Sequence, residues 1–251
     1  MDLFRKLLLR RGLCGKAEAG PAYVPFIGDG DIAAEVYAGR LICGADLDPD
    51  RVASAQGRFP DGDIRVADCD GYPFADRTDL SFAIADFDSY SNPYKSLEAF
   101  WTQARTADRV VLFGTDGHRQ TIKRRRSRII LPAGAAEPFD GWREIYNFWW
   151  PRYVRPHLES LFAPAVIVEE SHYYRGADML YWGVVVDRTG NGLPQETGDK
   201  DPLVLVEAAL FEAAVSGNVP AMVLWLERQD RRDTERRLDA WVKANPSRNS
   251  T

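Results

Sequence analysis

The sequence predicts an α/β protein whose doubly wound sheet has parallel strands and ends in an antiparallel hairpin. Short apolar runs alternate with segments of helical period from Tyr23 onward. Gly28 and Gly30 separate the first run from the first helix, as in a tight turn between a strand and a helix. A short connection containing Gly176 joins the last two runs, which is typical of a hairpin. At 251 residues the chain is long enough for one such domain with an appendage.

The composition favours a globular protein of a reducing compartment. Hydrophobic residues make up 45% of the chain and charged residues 27%. The net charge is −5, so binding to nucleic acid requires a local basic patch. The three cysteines are widely spaced and indicate neither disulfides nor a zinc site. No apolar run approaches the ~20 residues of a membrane span, and no secretory leader is evident. We therefore expect a cytoplasmic protein, and the composition does not indicate its oligomeric state.

The predicted elements begin with a basic amphipathic helix over residues 2–11, ended by Gly12. Its leucines are expected to pack on the domain, although contact with a membrane or RNA is an alternative. The first strand is predicted to start at Tyr23. Four further strands are predicted over residues 40–46, 63–68, 80–86 and 109–114. The intervening helices are predicted over residues 32–37, 51–58 and 93–104, with Pro49 in the first turn of the second.

The second half of the chain is predicted to hold the hairpin, a linker and a helical tail. An aromatic-rich stretch over 141–162 is interpreted as a helix pair packed on the sheet, with stacking on bases as the alternative. The hairpin strands are predicted at 165–173 and 179–186. The domain boundaries that follow are an N-terminal helix at 1–21, a main domain at 22–188, a linker at 189–201 and an all-α module at 202–251.

Four predicted strand ends carry residues suited to binding a ligand. The glycine turn follows strand 1, Asp46 ends strand 2, Asp68 ends strand 3, and an acidic-aromatic segment over 86–90 follows strand 4. The carboxyl ends of parallel strands meet at one edge of a doubly wound sheet, where ligands bind. A nucleotide-dependent hydride-transfer enzyme shares the first two features. It usually has a third glycine where this chain has Ala33.

This layout resembles the class I S-adenosylmethionine-dependent methyltransferases, over about residues 22–187. Pro25-Phe-Ile-Gly-Asp-Gly30 resembles the Asp-Pro-Phe-x-Gly-x-Gly loop of nucleic-acid methyltransferases, with Val24 in place of the leading acid. Gly44-Ala-Asp-Leu-Asp-Pro49 is similar to the ribose-binding segment of that family. The resemblance implies a Rossmann-like methyltransferase sheet, to which the family adds a final hairpin.

The strand-4 segment carries a second, more specific resemblance. Asp86-Phe-Asp-Ser-Tyr-Ser-Asn-Pro93 resembles the Asp-x-Asp-Pro-Tyr-Gly-Ser-Pro motif of tRNA guanosine N2-methyltransferases, and similar motifs occur in methyltransferase-like proteins of phages. Ser89 and Ser91 stand where proline and glycine are expected. Alternatively, Asn92-Pro93-Tyr94 resembles the Asn-Pro-Pro-Tyr motif of DNA amino-methyltransferases with one proline missing. Within the tail, residues 210–222 resemble a helical segment of phage DNA-packaging small subunits.

The resemblance implies S-adenosylmethionine as cofactor. By it, Asp46 holds the ribose hydroxyls, Leu47 packs on the adenine, and Asp68 accepts a hydrogen bond from the adenine amine beside Cys69. The glycine turn admits the amino-acid end of the cofactor. The predicted cofactor residues are Phe26, Gly28, Asp29, Gly30, Asp46, Leu47, Asp68, Cys69 and Asp86.

Asp86, Asp88 and Tyr90 are the predicted catalytic residues. The Asp88 carboxylate, or a backbone carbonyl after it, is expected to accept hydrogens of an amine nucleophile, and Tyr90 to stack on a flipped or unpaired base. Asp86 and Asp88 lie two residues apart and so share one face of a strand. Their like charges are expected to raise the pKa of one of them, making it a proton acceptor. The alternative interpretation is a polar loop that caps the next helix.

The predicted function is methyl transfer to an exocyclic amine of a nucleic-acid base. Six basic side chains lie within 119–128, and the predicted phosphate contacts are Lys123, Arg124, Arg125 and Arg126. A solvated loop is the alternative for this cluster. Two other functions stay open: a non-catalytic nucleic-acid or assembly-binding protein on the same scaffold, and a small-molecule methyltransferase. His118, His157 and His172 lack metal-ligand spacing and are interpreted as structural; no metal is expected.

Overall fold

The computed structural model describes residues 2–89, 92–118, 128–130, 136–138, 149–175 and 179–189. The strands are β1 (Ala22–Pro25), β2 (Ile42–Asp46), β3 (Asp63–Val66), β4 (Phe82–Phe87), β5 (Thr106–Asp116), β6 (Arg128–Ile130), β7 (Ala136–Pro138), β8 (Val166–Arg175) and β9 (Met179–Asp187). The helices are α1 (Asp2–Cys14), α2 (Asp31–Val36), α3 (Pro49–Arg58), α4 (Tyr94–Gln103) and α5 (Arg155–Phe162), which continues a π-helical segment at Trp149–Val154.

Seven strands form a mixed sheet in the order β3-β2-β1-β4-β5-β9-β8. The first five strands pair in parallel, and β9 runs antiparallel to both β5 and β8. This arrangement confirms the predicted doubly wound sheet with its terminal hairpin. The strand order reverses between β1 and β4, and such a switch point opens a crevice at the carboxyl edge. The small antiparallel pair β6–β7, which the sequence analysis did not predict, forms a separate sheet.

Each face of the sheet has its own apolar core. One face is aromatic: the ring of Tyr23 stacks on that of Phe100 at 5.0 Å, and Trp149 and Trp150 are buried there. The predicted packing of the aromatic-rich segment is therefore confirmed for its described part, from residue 149 onward. On the opposite face, residues of α1, α2 and α3 cover smaller side chains of the central strands.

Helix α1 runs three residues further than predicted. Gly12 was expected to end it, but the helix continues to Cys14. Leu9 and Leu13 are both buried and lie one turn apart, so their packing outweighs the ~1 kcal/mol that a helical glycine costs. Leu3 and Leu8 are exposed on the same helix.

Several predicted segments lie outside the described residues. These are Tyr90, the basic cluster from 119 to 127, the part of the aromatic stretch over 141–148, the linker after Thr189, and the C-terminal module at 202–251. Within the described part of the chain, every helix is too short or too polar to cross a membrane.

Candidate active site at the carboxyl edge of the sheet

The turn after β1 is held in an unusual backbone conformation. Phe26, Gly28 and Gly30 all have positive φ angles, of 60°, 54° and 80°. Residues other than glycine rarely adopt this region of backbone conformation. A Cβ on Gly30 would lie 2.9 Å from a ring carbon of Phe59, whereas a Cβ on Gly28 would have no atom within 4 Å. Gly30 therefore permits close packing on α3. Gly28 faces open space from which a ligand can approach the backbone.

Asp46, the last residue of β2, joins this turn to the second strand. Its Oδ2 accepts a hydrogen bond from the Gly28 amide at 3.0 Å, and its Oδ1 accepts one from the Asp48 amide at 3.0 Å. A carboxylate has about four lone-pair sites, so acceptor capacity remains for a further ligand. Asp48 caps α3 by accepting from the amides of Asp50 and Arg51, so Asp46 is free of that role.

Cys69 ties the end of β3 to the same turn. Its sulfur accepts a hydrogen bond from the Phe26 amide at 3.3 Å and contacts the Ala45 carbonyl oxygen at 3.4 Å. Burial raises the pKa of the Cys69 thiol to about 11, so it stays neutral at pH 7. Asp68 beside it is exposed, and one of its oxygens accepts from the Asp70 amide at 2.9 Å.

The predicted cofactor residues at three strand ends thus lie around one turn, and Leu47 and Asp29 are exposed as well as Asp68. Leu47 is 68% exposed, which leaves an apolar face beside the Asp46 carboxylate. Asp29 is exposed at the tip of the turn. Asp31, the next acid, pairs with Arg58 at 2.6 Å, and this arginine neutralises part of the negative charge there.

Asp86 and Asp88 share one face of the sheet as predicted, but α1 supplies a cation to each. The Arg10 guanidinium binds Asp86 through two hydrogen bonds of 2.6 and 2.7 Å, and the Tyr37 hydroxyl adds a third at 2.7 Å. Lys6 contacts both oxygens of Asp88 at 2.7 and 2.9 Å. Lys6 and Arg10 are spaced along α1 about as far apart as Asp86 and Asp88 are along the strand direction. Four helical residues rise about 6 Å, and two strand residues about 6.6 Å.

These cations change the predicted chemistry of the two acids. Burial by itself would raise the pKa of Asp88, but Arg10 and Lys6 outweigh burial and hold that pKa below its ordinary value. The expectation that like charges raise one pKa is corrected for Asp88, because opposite charges lie closer. Asp86 is 1% exposed, so in this arrangement it presents almost no surface to a ligand and is held in a buried ion pair.

Asp88 keeps more access than Asp86. Its side chain is 17% exposed, and it also accepts a hydrogen bond from the Thr115 hydroxyl of β5. Sequence reasoning missed Lys6, Arg10 and Thr115. The basic, amphipathic character of α1 gave the only signal for the first two, and it did not reveal their partners.

Other predicted site residues are not placed by the described chain. Tyr90 and the cluster Lys123, Arg124, Arg125 and Arg126 lie outside it. Among the residues that are described, no group of three or more histidine, cysteine or acidic side chains is arranged to hold a metal ion.

Comparisons with known proteins give only remote similarity. No protein-family model and no curated protein matches the sequence. The N-methyltransferase NodS from Bradyrhizobium japonicum WM9 has 11% identity and a TM-score of 0.46, covering 73% of this chain and 95% of NodS. The plantazolicin methyltransferase BamL, solved in complex with a triazolic desmethylPZN analogue and SAH, has 8% identity and a TM-score of 0.48, covering 74% of this chain and 84% of BamL.

A third solved structure is magnesium protoporphyrin IX methyltransferase (ChlM) from Synechocystis PCC 6803 with bound SAH. It has 11% identity and a TM-score of 0.45, covering 73% of this chain and 82% of ChlM. At such identities and scores, the function proposed below rests on the chain's own residues.

Proposed function

We propose that this chain is an S-adenosylmethionine-dependent methyltransferase. The observation that carries the proposal is the Asp46 carboxylate, which holds the amide of Gly28 and stands beside the exposed Leu47. A carboxylate with spare lone pairs suits a vicinal diol, and an apolar face beside it suits a purine ring. The open space at Gly28 accommodates a ligand that approaches the backbone. The residues present therefore fit an adenosine-containing cofactor.

The chain's own residues divide the binding between them. Asp46 accepts from the ribose hydroxyls, Leu47 covers the adenine, and the exposed Asp68 accepts from the adenine amine. The turn at Gly28 receives the amino-acid end, whose ammonium group is attracted by Asp29. When bound, the cofactor supplies a methyl group on a positively charged sulfur. The contribution of the protein is to align that methyl group with a nucleophile, and such positioning supplies several kcal/mol or more.

The proposed acceptor is an exocyclic amine of a nucleic-acid base. The resemblance of segment 86–93 to tRNA guanosine N2-methyltransferases supports this choice. Asp88 stays ionised at neutral pH because Arg10 and Lys6 lower its pKa, so it can accept hydrogens of the amine. Tyr90 stacks on the base in this proposal, and Lys123–Arg126 contact phosphates.

Mass analysis of nucleosides tests this function. The wild-type chain is incubated with S-adenosylmethionine and mixed RNA and DNA, and the digested nucleosides are compared with those from a matched Asp88→Ala reaction. We expect one N-methylated nucleoside that Asp88→Ala does not form. Replacing Lys123–Arg126 with alanine should weaken activity on nucleic acid. Unchanged activity on a small molecule in that variant would favour a small-molecule methyltransferase instead.

The ion pair between Lys6 and Asp88 favours a second candidate function. A carboxylate held by the chain's own lysine at 2.7 Å suits a scaffold that binds nucleic acid or an assembly partner without catalysis. The same nucleoside analysis separates the two functions. Binding of RNA or DNA without any methylated product would support the binding protein, and methyl incorporation that depends on Asp88 would exclude it.

A further inference from the structure

A buried acid at the end of β5 forms a cluster that the proposed function does not use. The Asp116 side chain is fully buried and accepts four hydrogen bonds. Its Oδ1 accepts from the His118 amide at 2.7 Å and lies 2.9 Å from His118 Nδ1. Its Oδ2 accepts from Trp149 Nε1 at 2.7 Å and from the Tyr94 hydroxyl. Burial opposes ionisation, but His118 and these donors outweigh it and hold the pKa of Asp116 below its ordinary value.

The Asp116 carboxylate can only accept a hydrogen bond from Nδ1. In the neutral His118 ring the proton therefore lies on Nδ1. The other ring nitrogen, Nε2, then carries a lone pair, and no residue in the described part of the chain hydrogen-bonds it. The ring is held in place from both sides. It stacks on Trp149 at 5.7 Å between centroids and lies 5.8 Å from the Tyr94 ring. The imidazole is fixed and buried, and one of its basic nitrogens has no hydrogen-bond partner among the described residues.

This imidazole lies at the same edge of the sheet as the proposed methyl-transfer site. Thr115 and Asp116 are consecutive strand residues and point to opposite faces. Thr115 binds Asp88 on one side, and Asp116 binds Tyr94 at the start of α4 on the other. The Ser89 hydroxyl also contacts the Thr115 carbonyl oxygen. Asp88 and Ser89, directly after β4, thus contact Thr115, and the Lys6–Asp88 and Asp116–His118 pairs flank that residue.

The two flanking groups differ in the chemistry they can perform. Asp88 is paired with Lys6 and has a lowered pKa, so it accepts hydrogen bonds but takes up a proton poorly at neutral pH. Histidine is the side chain whose ordinary pKa suits proton transfer near pH 7. An aspartate on Nδ1 orients such a ring and stabilises its protonated form, as in the triads of hydrolases.

We propose that His118 is a catalytic residue of the methyl transfer, with Nε2 as the proton acceptor and Asp116 as its positioning residue. The inference rests on the proposed function. The lone pair of the substrate nitrogen forms the new N–C bond while the electrons of the C–S bond go to sulfur. The methylated nitrogen is then positively charged, and its excess proton passes to Nε2. The imidazolium that results is balanced by the Asp116 carboxylate and later releases the proton to water.

The tautomer of His118 is the first test, and it needs neither cofactor nor substrate. The chain has three histidines, so NMR of isotope-labelled imidazole nitrogens is assigned by comparison with His118→Gln and His172→Gln. We expect neutral His118 to carry its proton on Nδ1, and Asp116→Asn to move it toward Nε2. A wild-type ring protonated on Nε2 would overturn the proposal.

Kinetics and cofactor binding complete the test. We expect His118→Gln to lower kcat about 100-fold or more, to remove the acid limb of the pH profile, and to leave the cofactor Kd unchanged. His172→Gln, on strand β8, should match the wild type because His172 makes no contact with Asp116 or His118 among the described residues. A wild-type rate and pH profile in His118→Gln would show a structural histidine only. If the wild-type chain binds no cofactor, the proposed function fails, and this role of His118 fails with it.

Discussion

The charged side chain of Arg10 is buried in the interior of the domain, where carboxylate groups accept its hydrogen bonds. It is 1% exposed, and Asp86 takes two of its donors while Asp88 lies 3.9 Å away. Its guanidinium also lies 5.7 Å from the Phe113 ring. Buried ion pairs of this kind pay a large desolvation cost, so they contribute less to stability than to defining one arrangement. Here the arrangement they define is that of the segment after β4.

Breaking this pair should be costly, since it leaves a carboxylate buried without a counter-charge. We expect Arg10→Met to lower the free energy of unfolding by about 3–5 kcal/mol, measured by urea denaturation. The matched control is Arg11→Met on the same helix, whose partner Glu35 is exposed, and it should cost about 0–1 kcal/mol. Equal losses in the two variants would contradict the buried role of Arg10.

At the scale of elements, local sequence patterns predicted most strands and helices but not what α1 binds. The alternation of apolar runs and the position of Pro49 in a first helical turn are local signals, and the structure agrees with them within a few residues. The contact between Arg10 and Asp86 joins residues 76 positions apart. On an amphipathic helix, a lysine and an arginine look like solvent-facing residues. Only the tertiary packing of α1 brings them to Asp86 in β4 and to Asp88 just after it.

The turn between β1 and α2 contains two glycines with different surroundings. Gly28 faces open space, whereas Gly30 packs against Phe59. Gly28→Ala should lower the free energy of unfolding by about 1–2 kcal/mol, because the φ of residue 28 is positive. No steric clash adds to this cost, since the space around Gly28 is open. Gly30→Ala should cost more, since its Cβ would also contact Phe59 at 2.9 Å. Gly57→Ala within α3 is the control, and it should stabilise the chain by about 0.5–1 kcal/mol.

Urea denaturation measures the stability of these three variants. Calorimetry with S-adenosylmethionine measures their affinity for the cofactor. A methyl group on Gly28 enters the space assigned to the cofactor, so we expect Gly28→Ala to bind it more weakly than Gly57→Ala does. Wild-type affinity in Gly28→Ala would place the cofactor elsewhere.

At the scale of the whole molecule, the sheet topology creates the candidate site. The order β3-β2-β1-β4-β5 brings the ends of these strands to one edge, and this is why the acids at strand ends could be predicted from sequence to lie near one another. The hydrogen bonds that link Gly28 to Asp46 and Phe26 to Cys69 are the result. Which acids stay open to a ligand could not be predicted, because burial and counter-charges depend on α1 and α2.

Isothermal titration calorimetry with S-adenosylmethionine tests the central claim most directly. We expect one cofactor per wild-type chain, and a Kd raised about 10- to 100-fold in Asp46→Ala, which loses charge-assisted hydrogen bonds of about 1.5–3 kcal/mol. Asp50→Asn, an exposed change in the neighbouring helix α3, should bind like the wild type. No heat of binding from a folded wild-type chain, or equal affinity in Asp46→Ala, would contradict the assignment of this edge as a cofactor site.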